Sequence, residues 1–218
     1  SFFLCLFFVM IPFVHLHVHS YYSILDGQAS ISRLVDKAIA DGMRGMALTD
    51  HGSMMGVKDF YNYVQKKKGG ASKDFKKAEA QLQELQAKAA ASEVDTATLR
   101  LEDGKTLAEA IAETEKAMEK AKRVMDFKPI IGCEMYCARR TKFDKTLKED
   151  RSGWHLVVLA KNETGYHNLV KLVSRAWVDG FYMKPRTDKA DLEEFKEGLI
   201  ISSACLGGEI PKKLLAGD

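Results

Sequence analysis

The sequence predicts an α/β fold with a largely parallel sheet or barrel, because short apolar runs alternate with amphipathic helical runs. FVHLHVHS alternates its side chains between two faces over residues 13–19, which is typical of a strand. Residues 31–42 (ISRLVDKAIADG) carry apolar side chains at helical spacing, which predicts a helix. GMALTDHG at 45–52 then predicts a short apolar strand with a polar end, and residues 55–68 predict a second helix.

The same alternation returns in the second half of the sequence. The predicted strands are KPIIGCEMYCA (128–138), HLVVLAKN (155–162) and a buried strand within LIISSACLGG (199–208). The predicted helices cover residues 164–180, 191–198 and 209–218. Because so regular a pattern stops after a strand and a helix, we expect further strands to complete it.

Residues 66–126 interrupt this pattern with a segment rich in Lys, Glu, Ala and Gln. Apolar residues repeat with heptad spacing in each half of the segment, and LEDGKT lies between the halves. Two narrow apolar seams predict an antiparallel helical hairpin inserted into the α/β fold, with a solvated helix or a disordered linker as the alternative. The seam residues are Phe75, Ala78, Leu82, Leu85 and Ala89, then Leu107, Ile111, Thr114, Met118, Ala121 and Met125.

Composition indicates an ordinary globular protein. Of the 218 residues, 46% are hydrophobic and 29% are charged, so a sizeable core can form. The formal net charge of +3 is too small to indicate nucleic-acid binding by itself. The four cysteines match no paired CxxC zinc pattern, which favours free thiols in a reducing cytoplasm. They are Cys5, Cys133, Cys137 and Cys205.

The first residues, SFFLCLFFVMIPF, are apolar but too few to span a bilayer as a helix. No basic residue precedes the run and no small-residue cleavage site follows it, so it is a poor signal peptide. We expect Met10 to be the true start, with residues 1–9 a non-native or disordered leader. A signal or anchor segment is the alternative.

Potential metal ligands follow several of the predicted strands. Side chains on one strand face repeat at about 6.6 Å, so His17 and His19 can converge on one ion, whereas His15 is about 13 Å from His19. In parallel barrels, sites form at the carboxyl ends of strands. Asp26, the Asp50–His51 pair, Glu134 and Cys205 all lie where an apolar strand runs out.

This set of ligand types indicates a multinuclear metal cluster. Imidazole, carboxylate and thiolate together suit zinc, and imidazole with carboxylate also suits manganese or iron. Packing roles remain as alternatives: His51 with Asp50 could form a turn, and Cys205 could be a small buried hydrophobe. Cys133 and Cys137 flank Glu134 at odd offsets, which favours packing. His155 begins a strand, and strand-end spacing does not select it.

Several motifs resemble the PHP domain that begins the bacterial replicative DNA polymerase III alpha subunit. They are HLHVHSYYSILDG, ALTDHG, IIGCEMY, HLVVLAKN, GFYMKPR and LIISSACLGGEIPKKL, and the likeness covers residues 10–218 apart from the insertion. The HxH and TDH elements are general to PHP domains, whereas GFYMKPR and ACLGGEIP are more specific to the polymerase. His15 stands where many stand-alone PHP phosphoesterases have Asp, which is usual in the polymerase branch.

The resemblance implies a distorted seven-stranded, TIM-like β/α barrel, incomplete at its C-terminus, with up to three metal ions at its mouth. Glu134 would bridge the ions, and Asp50 would support the ligands from outside the cluster. A late DxH element that completes the site in the family is absent from this sequence. The implied ligands are His17, His19, Asp26, His51, Glu134, His155 and Cys205.

The resemblance also implies a role in cytoplasmic DNA replication, with DNA and other replisome subunits as partners and no membrane. The metal site, holding zinc or manganese, would hydrolyse phosphodiesters as a 3′–5′ proofreading exonuclease. The palm domain that polymerises DNA with magnesium is not in this sequence. Two alternatives remain: a bracing or partner-docking module without catalysis, and a stand-alone PHP phosphatase, against which GFYMKPR argues.

Overall fold

The computed structural model describes residues 13–92 and 94–218, so the predicted leader at 1–9 lies outside the described residues. The helices are α1 (Ile31–Ala40), α2 (Val57–Ala91), α3 (Leu107–Asp126), α4 (Glu163–Val178), α5 (Lys189–Glu194) and α6 (Glu209–Ala216). The strands are β1 (Gly45–Leu48), β2 (Lys128–Ala138), β3 (Gly153–Ala160), β4 (Arg186–Thr187) and β5 (Leu199–Ser202). The predicted α/β class is confirmed, whereas closure into a seven-stranded barrel stays a prediction.

The five described strands form one mixed sheet, so the prediction of a largely parallel sheet is wrong. β1 and β4 pair with β2 in parallel, but β3 is antiparallel both to β2 and to β5. The physical reason lies in the connection from β2 to β3. Residues 139–152 contain only a short 3-10 helix, Lys148–Arg151, and no α-helical crossover of the kind that usually joins parallel neighbours.

The predicted first strand over 13–19 is only partly formed. His15 makes a single parallel bridge to Met46, and the Thr49 amide donates to the Val18 carbonyl over 2.9 Å. The chain bends at residues 16–17, and the Val18 amide donates to the Thr49 hydroxyl at 2.8 Å. The Thr49 hydroxyl therefore takes the place of a backbone acceptor for the Val18 amide. Regular strand pairing between the histidine run and β1 is interrupted at this point.

The main core lies between β2, β3 and one helix. Side chains alternate along β2, so Cys133 and Met135 pack against Leu169 and Leu172 of α4, with Val158 of β3 in the same cluster. Glu134 and Tyr136 therefore point to the opposite face of the sheet. This alternation directs an acidic and an aromatic side chain away from the helix-covered core.

The prediction that residues 199–208 contain a buried strand is wrong. β5 pairs only with β3 among the described strands, and it lies at the end of the strand order β1-β2-β3-β5. Ile200 and Ile201 are about half exposed, at 51% and 46%. The apolar run indicated a buried strand. Because β5 lies at the edge of the described sheet, its isoleucine side chains are partly exposed instead.

Residues 61–127 form a second compact unit. α2 is one continuous helix of 35 residues, rather than a first helix followed by a separate insertion. Within this unit Leu85, Leu107 and Ala110 form a buried cluster, which joins the end of α2 to the start of α3. The residues of both predicted seams are buried or half-buried. No helix in the described part of the chain is long and apolar enough to cross a membrane.

The start of α3 supplies a test of local stability. The Thr106 hydroxyl accepts from the Glu109 amide at 3.2 Å, and the Glu109 carboxylate accepts from the Thr106 amide at 2.9 Å, which is a capping box. Thr106→Ala should destabilise the first turn by about 1 kcal/mol. Hydrogen exchange at the Glu109 amide should accelerate accordingly, whereas Thr106→Ser, which keeps the oxygen, should leave it nearly unchanged. Equal exchange in both variants would contradict the role of the cap.

Candidate metal centre

The centre is built around Glu134, whose side chain is only 1% exposed. β2 presents it on the face opposite the α4 core, beside Tyr136. Two neighbouring elements meet β2 at this point. His51 forms a parallel bridge with Glu134 just past the end of β1, and His155 of β3 pairs directly with Tyr136.

Four imidazoles approach the Glu134 carboxylate. On one side, His155 Nδ1 lies 2.5 Å and His17 Nε2 lies 3.6 Å from Oε1. On the other, His51 Nδ1 lies 2.5 Å and His19 Nε2 lies 3.2 Å from Oε2. Each carboxylate oxygen therefore faces two ring nitrogens that come from different elements.

The bend in the histidine run brings its last two rings together. His17 Nε2 and His19 Nε2 are 3.1 Å apart, closer than the backbone spacing of a straight strand suggests. His19 also stacks on His51 with ring centroids 4.1 Å apart. His15 is exposed, and its ring makes an edge contact with Phe13 instead.

The remaining predicted ligands complete two sides of the cluster. Asp26 Oδ2 lies 2.5 Å from His51 Nε2, so both nitrogens of that ring face a carboxylate. Cys205 Sγ lies 3.5 Å from His155 Nδ1 and 3.9 Å from Glu134 Oε1. The Asp26 carboxylate and Cys205 are both exposed, so they border the centre from the solvent side.

All seven predicted ligands thus fall into three overlapping groups. Within each group the donor atoms all lie within 4.8 Å of one another. The groups share Glu134 and His19, as expected for neighbouring sites with common ligands. They are His17–His19–Glu134, His19–Asp26–His51 and Glu134–His155–Cys205.

One family matches most of the chain. The PHP domain family matches residues 15–77 and 72–218. The chain belongs to the PHP domain family. This match covers every described residue of the cluster and confirms the resemblance predicted from the motifs.

The PHP chain is also similar to proteins named DNA polymerase III subunit alpha. Those of Borreliella burgdorferi, Treponema pallidum and Thermus aquaticus are 40%, 36% and 34% identical to it. Each alignment covers 94% of this chain. The chain spans only 12–13% of the length of these curated relatives.

Electrostatics in this PHP domain favour an ionised carboxylate at its centre. Burial by itself would raise the pKa of Glu134, but the close imidazoles of His155, His17, His19 and His51 outweigh burial and hold that pKa far below its usual range. The nearby Glu134 carboxylate raises the pKa of His51. His51 in turn lowers the pKa of Asp26.

The donor set fits divalent cations better than it fits a set of internal hydrogen bonds. His51 Nδ1 and Glu134 Oε2 are buried and find no hydrogen-bond partner of acceptable geometry among the described residues, although they lie only 2.5 Å apart. Buried polar atoms are rarely left unpaired. Imidazole, carboxylate and thiolate are the ligand types that zinc takes, and the first two also suit manganese.

Asp50 lies behind the cluster. Its carboxylate is buried and accepts from the Ser20 amide at 2.7 Å and the Ser23 hydroxyl at 2.8 Å. The Ser23 oxygen lies 3.3 Å from His19 Nδ1 and accepts from the His51 amide at 3.1 Å. The predicted supporting position of Asp50 agrees with these contacts, which orient His19 through a serine.

Sequence reasoning missed three residues that position this centre. Ser20 and Ser23 lie within HSYYS, directly after the histidine run, and that proximity was the available signal. Tyr136 lies two residues after Glu134, and its ring centroid is 5.3 Å from that of His155 and 6.1 Å from that of His51. Period-two alternation on β2 could have placed this ring on the same face as Glu134.

The other two described cysteines pack, as predicted. Cys133 is fully buried, and burial raises the pKa of its thiol well above the usual range. Burial likewise raises the pKa of Cys137 to about 11. Neither thiol is suited to act as a thiolate ligand or nucleophile.

Proposed function

We propose that this chain is the PHP region of a replicative DNA polymerase III alpha subunit and that it hydrolyses phosphodiester bonds with bound metal ions. One observation carries the proposal: six other ligand-type side chains, from separate segments of the chain, gather around the buried carboxylate of Glu134. The similarity to named alpha subunits supports the polymerase context. In that context the substrate is a DNA 3′ end, and the activity is 3′–5′ proofreading.

Up to three divalent ions, zinc or manganese, would be held by His17, His19, Asp26, His51, Glu134, His155 and Cys205. When bound, such ions polarise a phosphoryl group and make a coordinated water acidic. Glu134 brings one negative charge between the histidine pairs, and Asp50 holds His19 in orientation through Ser23. Cys205 and Asp26 face solvent, where a substrate would enter.

The wider setting belongs to the same proposal. The full-length protein would be a cytoplasmic DNA-directed DNA polymerase that uses magnesium in its palm domain and acts with DNA and other replisome subunits. The PHP region would close into a seven-stranded β/α barrel there, with residues 66–126 as an inserted helical hairpin.

Paired histidine variants test the metal site. The double variant His17→Ala/His19→Ala should lose most of its zinc and manganese binding, because both rings face Glu134. His15→Ala is the matched control, since His15 belongs to the same run but lies outside the three groups of donor atoms found in the described residues. The measurements are metal content by mass spectrometry after purification without chelators and cleavage of a 3′-labelled oligonucleotide. Equal metal content in both variants would refute the site.

A second candidate function is a bracing or docking module without catalysis. The observation behind it is the separate compact unit at 61–127, which carries none of the donor residues. Metal binding that depends on His17 and His19, combined with oligonucleotide cleavage that does not, would favour this second function.

A further inference from the structure

The end of α4 and the residues that follow it carry an exposed aromatic pair. Trp177 and Phe181 stack with ring centroids 5.5 Å apart and an interplanar angle of 22°. Their exposures are 45% and 46%. Nearly half of the surface of each residue is therefore accessible to another molecule.

The pair is tied to the metal centre by a hydrogen bond. The Trp177 indole Nε1 donates to the Gly52 carbonyl at 2.7 Å, and Gly52 follows His51 directly. The Gly52 amide donates to the Glu134 carbonyl at 2.8 Å. Gly52 has a φ of +57°, and a Cβ there would lie 2.6 Å from Pro185 Cγ, so the segment 177–185 packs closely on this loop.

A cation lies on the same side of the centre. Lys184 is exposed, and its Nζ lies 5.4 Å from the centroid of the Tyr136 ring, which in turn contacts His155 and His51. A tight turn presents it, in which the Tyr182 amide donates to the Lys184 carbonyl at 3.0 Å and Met183 has a φ of 61°. The turn therefore places a positive charge beside an aromatic ring of the centre.

Open aromatic faces with a nearby cation are the features that bind single-stranded nucleic acid. Bases stack on the rings without regard to sequence, and lysine neutralises a phosphate. We propose that Trp177, Phe181 and Lys184 form a platform that holds a single-stranded DNA end against the metal centre. This inference rests on the proposed hydrolysis. It adds that the DNA substrate is single-stranded and that these three residues position it.

Fluorescence tests the stacking directly, because Trp154 and Trp177 are the two tryptophans of the chain. In a Trp154→Phe background, oligothymidylate added in EDTA should quench the emission of Trp177. Phe181→Ala should weaken binding about tenfold, the loss typical of one stacked base. Phe143→Ala is the matched control, since Phe143 is an exposed ring of the same compact unit that contacts Lys142.

Salt dependence tests the lysine. Lys184→Gln should reduce the slope of log affinity against log salt by about 0.7, the value for one phosphate contact on a single strand. Lys145→Gln, an exposed lysine of the same unit, should not change the slope. If Trp154→Phe disturbs folding, the fluorescence anisotropy of a labelled oligothymidylate can be measured instead. Phe181→Ala and Lys184→Gln are then made in the chain that retains Trp154.

The outcomes separate the platform from the proposed hydrolysis. Cleavage that requires His17 but tolerates Phe181→Ala and Lys184→Gln, with unchanged binding, would overturn the platform alone. Binding that depends on Phe181 and Lys184 without any cleavage would support the platform and count against hydrolysis. Oligothymidylate that neither quenches Trp177 nor binds the chain would overturn the platform.

Discussion

Glu134→Gln is expected to remove metal binding from the centre almost completely. The substitution keeps the shape of the side chain but removes the single negative charge that faces four imidazoles. Mutation of residues that hydrogen-bond to metal ligands typically weakens metal binding or activity 10–100-fold. Loss of this central carboxylate should therefore weaken metal affinity about 100-fold or more. Isothermal titration with zinc and with manganese measures the loss.

Two comparisons keep this result specific to Glu134. Glu149→Gln changes an exposed carboxylate that pairs with Arg140, and it should leave metal affinity unchanged. Near-ultraviolet circular dichroism in EDTA should show that Glu134→Gln retains native packing. A folded Glu134→Gln protein that binds both metals with unaltered affinity would contradict the central role of this carboxylate.

Arg186→Met is expected to give the largest loss of stability of any substitution considered. The side chain is fully buried, and its guanidinium donates to the carbonyl oxygens of Lys142, Asp144, Asp150 and Gly180 at 2.7–3.1 Å. Each buried acceptor left without a donor costs roughly 1–3 kcal/mol, so the free energy of unfolding should fall by at least about 4 kcal/mol. Urea denaturation measures the change.

Arg186→Lys separates charge from geometry in this prediction. Lysine keeps the positive charge, but its donors radiate from one nitrogen and cannot reach the spread carbonyls, so an intermediate loss is expected. Arg33→Met replaces an exposed arginine on α1 and should change stability by less than about 0.5 kcal/mol. If Arg186→Met unfolds at the same urea concentration as Arg33→Met, the bracing of the 142–150 connection by this guanidinium is refuted.

Much of the candidate centre could be predicted because it depends on local patterns. His17 and His19 were selected by their alternate spacing on one strand face, and His51 and Glu134 because they follow apolar runs; the structure brings their donor atoms together. The strand-end rule was wrong about the position of Glu134, because β2 continues to Ala138 and Glu134 lies inside the strand. His155 was selected only by the family resemblance, since its approach to Glu134 depends on the register of β3 against β2.

Long-range pairing could not be predicted from the same patterns. The apolar run at 199–202 is equally compatible with a central and an edge strand, and only its pairing with β3 alone among the described strands exposes Ile200 and Ile201. Arg186 gave no sequence signal of its buried role, because its four acceptors are backbone carbonyls and three of them lie 36 to 44 positions away. Likewise, only the tertiary contact with Gly52 shows that the Trp177–Phe181 pair lies beside the metal centre.

The amino-acid sequence by itself determined which side chains could bind metal, where most of the helices and strands form, and which family the chain resembles. These properties follow from residue chemistry and from periods of 2 and 3.6, which act over a few residues. The tertiary structure alone decided the mixed sheet, the bend that brings His17 and His19 within 3.1 Å, and the burial of Glu134 among four imidazoles. Those features arise from contacts between residues far apart in the chain, whose energies no local pattern records.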